Sequence, residues 1–274
     1  MGDQEPQFLQ LGRDTKRRRI AYRLSPGRGE RELLWLSGFL SDMGSIKAIA
    51  VAEWAESSGL GLVRFDYSGH GLSGGALLDA TIGDWLEEAI AISGLLRGGR
   101  VIVIGSSMGG WLALLLARHL AEREHGGRLG GLVLIAPAWD MTETLMWRQL
   151  PPEAKDAIAR DGVYHQPSVY SDPYPITRGL IEEGRAHLFA GSRFDPGAPV
   201  RILQGMRDPD VPFTHALALV DLLAGDDVEL NLIKDGDHRL SRPQDLRRLE
   251  AAIALLAFPS QSEDAGSSAA KPSR

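Results

Sequence analysis

The chain of 274 residues contains no cysteine. That absence excludes a disulfide framework, a thiolate metal site and a cysteine nucleophile, and it fits a reducing compartment. Basic residues are not in excess either. Thirty Lys and Arg stand against 36 Asp and Glu, a net charge of −6, which argues against a dedicated nucleic-acid or anionic-membrane surface. No apolar run approaches the roughly 20 residues that a membrane span needs. The opening MGDQEPQFLQ carries Asp3 and Glu5 and has neither the apolar centre of a secretory signal nor the acid-free Arg/Ser character of a transit peptide. A cytoplasmic location, a small-molecule or acyl substrate, and chemistry based on oxygen or nitrogen are the expectations that remain.

What is present is enough apolar residue, 43% of the chain, to bury one sizeable core. Short β-rich runs alternate with helical patterns, which predicts α/β winding around a mostly parallel sheet. The predicted strands are Leu33 to Leu36, Leu62 to Asp66, Val101 to Ile104, Leu132 to Ile135, Val200 to Leu203 and Leu230 to Ile233. Gln7 to Leu11 and Arg18 to Tyr22, around Gly12 to Thr15, read as an antiparallel hairpin at the sheet edge. The basic run at 16–19 falls in that hairpin and is given no function. Between Ile135 and Val200 the connection is too long for an ordinary loop. It reads as an insertion over 139–195, splitting a core of 1–138 and 196–258, and 259–274 reads as a disordered tail.

The chemistry starts at GSSMG, residues 105–109. Gly105, Ser107 and Gly109 fill G-x-S-x-G between a predicted strand and a predicted helix, the context of a nucleophile elbow, so the spacing selects Ser107 over Ser106. The Met108 N–H at the start of the helix is placed to receive a developing oxyanion. A serine hydroxyl needs a base, and the base needs an acid to orient it. His238 follows the last predicted strand and is favoured over His119, His125, His165, His187 and His215; His70, in a turn after an earlier strand, reads as a residue near the pocket. For the acid, Asp208 is favoured, with Asp210 and Asp140 as alternatives in the same chain order. The loop SGFLSDMGS at 37–45 offers the Phe39 N–H as a second oxyanion donor beside Gly38. Leu40 and Met43, with Trp139, Met146 and Trp147 of the insertion, are the candidates for holding an acyl chain.

Six stretches, GFLSDMGSIKAIAV at 38–51, RFDYSGHGLSGG at 64–75, GSSMGGWLALLLA at 105–117, QLPPEAKDAI at 149–158, LQGMRDPDVP at 203–212 and DHRLSRP at 237–243, carry a resemblance to the α/β-hydrolase superfamily. More narrowly, the chain is similar to the subgroup of mitochondrial palmitoyl-protein thioesterase, also described as an acyl-glucuronide esterase, and its bacterial relatives. The resemblance implies an α/β-hydrolase fold with a helical cap inserted after Leu132 to Ile135, and a catalytic triad of Ser107, Asp208 and His238. It also implies an oxyanion hole at Phe39 and Met108, no cofactor and no metal, and hydrolysis of thioesters, carboxylic esters or acyl glucuronides. Ser37 stands where the superfamily usually has a histidine. A C–C bond hydrolase or a cofactor-free peroxidase on the same fold, or a non-catalytic ligand-binding member, are the alternatives.

Overall fold

A computed structural model describes residues 5–12, 17–122, 126–167 and 173–259. The elements in chain order are β1 (Gln7–Leu11), β2 (Arg18–Ser25), β3 (Arg31–Leu36), α1 (Ile46–Ser57), β4 (Gly61–Phe65), α2 (Ile82–Ser93), β5 (Arg100–Ser106), α3 (Met108–Glu122), β6 (Leu129–Ile135), α4 (Pro152–Asp161), β7 (Val163–Gln166), β8 (Tyr174–Thr177), α5 (Arg178–Gly184), β9 (Val200–Gly205), α6 (Phe213–Leu222), β10 (Val228–Ile233) and α7 (Pro243–Ala257). Eight strands form one sheet in the order β1-β2-β4-β3-β5-β6-β9-β10. The first two join antiparallel, β2 also meets β4 antiparallel, and every pairing from β4 to β10 is parallel.

The strands have the β-branched and leucine-rich character of a sheet covered on both faces, and β4 and β6 are buried along their whole length. Alternation along each strand sends side chains to two separate cores. Leu34, Leu36, Val103 and Leu134 pack with α2, α3 and α6 on one face. Leu33, Trp35, Ile104 and Val133 pack with α1 and α7 on the other. The first ten residues of α3 are buried, so this helix lies against the middle of the sheet.

The parallel register aligns the strand ends. Leu36 pairs with Gly105, Ser106 with Ile135, Ile135 with Leu203, and Gly205 with Ile233. With Trp35 opposite Arg64 of β4, six loops therefore leave the sheet along one carboxyl edge, where open α/β sheets place their sites. Backbone strain gathers there as well. Positive φ at non-glycine residues occurs at Leu40 after β3, Ser107 after β5, Ala136 and Asp140 after β6, and Leu240 after β10.

The segment between β6 and β9 is not wholly helical. It holds a π-helical turn at Thr142–Trp147, α4 and α5, but also an antiparallel ribbon of β7 and β8, with Tyr164 opposite Ile176. Pro175 hides β8 in the sequence, although a four-residue strand with a single partner tolerates a proline. Of the terminal stretch expected to be a tail, residues 260–274 lie outside the described residues, as do residues 13–16 of the expected hairpin turn.

Candidate active site

Ser107 sits at the tip of a strained turn between β5 and α3, with φ 54°. Its N–H donates to the Ile135 carbonyl at 2.8 Å, and its own carbonyl accepts from Gly110 at 2.8 Å and Ala138 at 3.1 Å. The glycines on either side are there for space. A Cβ at Gly105 would strike the Gly109 carbonyl, and one at Gly109 would strike the Leu36 carbonyl. Ser106 stays in the strand, paired with Ile135 and buried.

Three side chains from three loops meet in line at this turn. His238 Nε2 lies 3.1 Å from Ser107 Oγ, and His238 Nδ1 lies 2.8 Å from Asp208 Oδ2. With Nδ1–H donated to the carboxylate, Nε2 keeps the lone pair that faces the hydroxyl. The Asp208 side chain is buried and its lone pairs are occupied. Oδ1 accepts from the Asp210 and Val211 amides, each at 2.9 Å, and Oδ2 also accepts from Gln204 Nε2 at 3.2 Å. Gln204 anchors the same turn by donating to the Val211 carbonyl at 2.9 Å. Sequence reasoning passed over it, since a glutamine at a strand end has no distinguishing local signal.

The two alternative acids are engaged differently. Asp140, held at φ 50°, accepts from the Phe189 and Ala190 amides at 2.8 and 3.1 Å and ties the two ends of the insertion together. Burial raises its pKa. Asp210 donates its amide to Asp208, and its carboxylate stands within 4.8 Å of ligating atoms on Asp208 and His238. Among the other histidines, His187 bonds Glu183 and His215 bonds the Trp139 carbonyl. His119 lies in α3 and His165 in β7, while His125 lies outside the described residues.

The loop after β3 closes over the elbow. A Cβ at Gly38 would stand 3.2 Å from that of Ser107, which puts Gly38, the residue before Phe39, beside the serine. Met108 is the first residue of α3, where an N–H has no partner within the helix. Asp66 secures the loop by accepting from Met43 N–H at 2.7 Å while also accepting from Leu72 N–H at 2.7 Å. Burial raises the Asp66 pKa against those two bonds. Lys47 reaches from α1 to donate to the Arg239 carbonyl beside His238. Burial lowers its pKa to about 8, opposed by the charges of Asp237 and Asp208.

The residues named for an acyl chain are placed unevenly. Leu40 is 44% exposed on the loop next to Ser107, whereas Met43 is 1% exposed and packs in the interior. Trp139 stacks on His215 at 4.8 Å and donates its indole N–H to the His215 carbonyl, a clasp between the insertion and α6. Met146 is buried in the core. Trp147 lines a cavity of about 290 Å³ with Ile158, Arg178 and Arg185, and that lining includes none of Ser107, Asp208 or His238. Tyr174 of β8 was not anticipated. Its ring packs edge-on against Phe39 at 5.7 Å, and its pKa is raised by burial and then by the Asp210 charge. It thus brings the insertion over the loop beside Ser107.

A parallel sheet with a G-x-S-x-G elbow at its carboxyl edge, and an acid and a histidine following in that chain order, defines the α/β-hydrolase class. Residues 24–258 match the model of the alpha/beta hydrolase family, and the chain belongs to that family. It is 35% identical over 236 residues to the mitochondrial palmitoyl-protein thioesterase ABHD10 of Bos taurus, covering 85% of this chain and 75% of that one. Two solved structures are similar. A putative hydrolase from Agrobacterium vitis S4 is 45% identical with a TM-score of 0.89, and ABHD10 from mouse is 33% identical with a TM-score of 0.80. Each match covers 92% of this chain and 98% of the other. No described helix is long and apolar enough to cross a membrane.

Proposed function

We propose that the protein is a serine hydrolase that cleaves acyl thioesters or carboxylic esters through an acyl-enzyme. The observation that carries this reading is the linear contact of Ser107 Oγ, His238 and Asp208 at 3.1 and 2.8 Å on a serine held at φ 54°. The thioesterase name of the relatives supports the substrate class.

His238 Nε2 accepts the Ser107 proton as Oγ attacks the acyl carbonyl, and Asp208 stabilises the imidazolium so formed. The Phe39 and Met108 amides receive the oxyanion. His238 returns the proton to the departing alcohol or thiol. It then draws a proton from water, which attacks the acyl-serine and regenerates Oγ–H when the tetrahedral adduct collapses. Leu40, exposed on the loop after β3, and the Phe39 and Tyr174 rings packed on one another offer apolar surface for the acyl chain.

Ser107→Ala is expected to abolish both turnover of a short p-nitrophenyl ester and labelling by a fluorophosphonate. Labelling that persists in this variant would move the nucleophile elsewhere. An acyl-chain series of esters and thioesters, compared by kcat/KM, then ranks the two leaving groups. A β-diketone cleaved in preference to both would replace the reading with a C–C bond hydrolase.

A further inference from the structure

Among the described residues, His70 is a histidine on the turn packed against the loop after β3 that the proton relay does not use. It sits in the turn after β4, 5% exposed, with edge-on contacts to Phe39 at 6.1 Å, Tyr67 at 5.9 Å and Trp85 at 5.4 Å. Both ring nitrogens have backbone partners. Nδ1 lies 3.2 Å from the Ser68 carbonyl, and Nε2 lies 3.1 Å from the Leu40 amide nitrogen. A carbonyl only accepts and an amide N–H only donates. One tautomer alone satisfies both, with the proton on Nδ1 and the lone pair on Nε2.

We infer that His70 is a positioning residue for the oxyanion loop: its neutral Nε2 holds the Leu40 N–H, which fixes the preceding Phe39 amide toward Ser107, and its protonation releases that loop. The inference rests on the proposed role of Phe39 as an oxyanion donor. Leu40 is itself at φ 58°, a conformation that a leucine keeps only where its surroundings impose it. On the far side the Ser68 carbonyl that anchors Nδ1 also accepts from Trp85 Nε1 at 3.1 Å, and the Ser68 amide donates to Glu88 at 2.9 Å. The ring is therefore fixed at its back and presents a lone pair forward.

An imidazolium could keep only the Ser68 bond. Its second N–H would point at the Leu40 N–H, two donors facing each other. Burial lowers the His70 pKa, so the accepting form is the one present near neutrality, while Asp42 on the loop opposes that shift. Other titratable groups on the elements packed around the ring are Tyr67 on its own turn, Asp66, which holds both that turn and the loop after β3, and Glu88 of α2 behind the Ser68 amide.

His70→Gln keeps an acceptor near the Nε2 position and cannot titrate, whereas His70→Ala loses the acceptor. For His70→Ala, kcat toward a p-nitrophenyl ester is expected to fall roughly ten- to a hundredfold, with KM within about twofold, since misplacing one oxyanion donor acts in the transition state. His70→Gln should recover most of that loss. The pH readout is the ratio of wild-type to His70→Gln kcat/KM between about pH 4.5 and 8.5. Titrations common to both proteins, including those of His238 and Glu88, cancel in the ratio. The ratio should be flat near neutrality and fall on the acid side. A flat ratio throughout, or a His70→Ala kcat within twofold of wild type, would overturn the inference while leaving the hydrolase reading intact. Activity remaining in Ser107→Ala would remove that reading itself, and the role of His70 with it. If His70→Ala does not fold, the ratio for His70→Gln decides alone.

Discussion

At the scale of single residues, the site depends on atoms that have no room to be anything else. Gly109 faces the Leu36 carbonyl so closely that any side chain would push α3 off the sheet. Asp208 has its oxygens filled by two amides, Gln204 and His238. Asp208→Asn would place an amide where His238 needs an acceptor, favour the wrong histidine tautomer and lower kcat by about 10³- to 10⁴-fold. Asp210→Asn removes no bond to His238 Nδ1, and its kcat should stay within roughly tenfold of wild type. Steady-state kinetics of the pair checks the choice of acid. If the larger loss followed Asp210→Asn, the assignment would be reversed. Sequence favoured Asp208 but kept Asp210 as an alternative because the two lie two residues apart in one turn, and the direction of each side chain separates them.

At the scale of elements, the insertion is held at both ends by polar contacts. Asp140 gathers the Phe189 and Ala190 amides, and the Trp139 and His215 pair fastens the start of the insertion to α6. Asp140→Ala would leave the Phe189 amide unpaired at a buried site, while the exposed Ala190 turns to water, and is expected to cost about 1 to 3 kcal/mol of unfolding free energy. Urea titration measures that change, and a shift below about 0.5 kcal/mol would mean that water replaces the carboxylate without loss. The long connection between β6 and β9 was legible from its length. The β7–β8 ribbon within it was not, since four-residue strands with a proline lack a long enough pattern to stand out from turns. Tyr174 escaped for the same reason.

Across the whole molecule, a buried carboxyl links the edge hairpin, the turn carrying His70 and α2. Glu88 accepts the Ser68 amide and faces Arg18 of β2 at 3.5 Å, while Arg18 also pairs with Asp84 and Glu87. Burial raises the Glu88 pKa from 4.5 to about 7. Folding thus favours the protonated acid. The associated stability is complete below the unfolded value and is lost as pH rises through about 7. Glu88→Gln cannot ionise. The difference in unfolding free energy between wild type and this variant should move against wild type by on the order of 3 kcal/mol from pH 4.5 to 8. Denaturation at several pH values gives that difference, and a constant difference would show that Arg18 already compensates the charge.

The sequence alone determined the parallel core and the glycine-flanked turn at Ser107, because alternating apolar runs and glycines flanking a serine encode local geometry directly. It determined that Ser107, not Ser106, leaves the strand. Tertiary structure decided what distance along the chain hides. The register brings six strand ends into one row, so that residues as far apart as Ser107 and His238 meet at 3.1 Å. It also decided that Trp139 clasps α6 while Tyr174 packs on Phe39 of the loop after β3, and that His70 Nε2 faces the Leu40 amide. Such contacts follow from packing between elements distant in sequence, which no local pattern specifies.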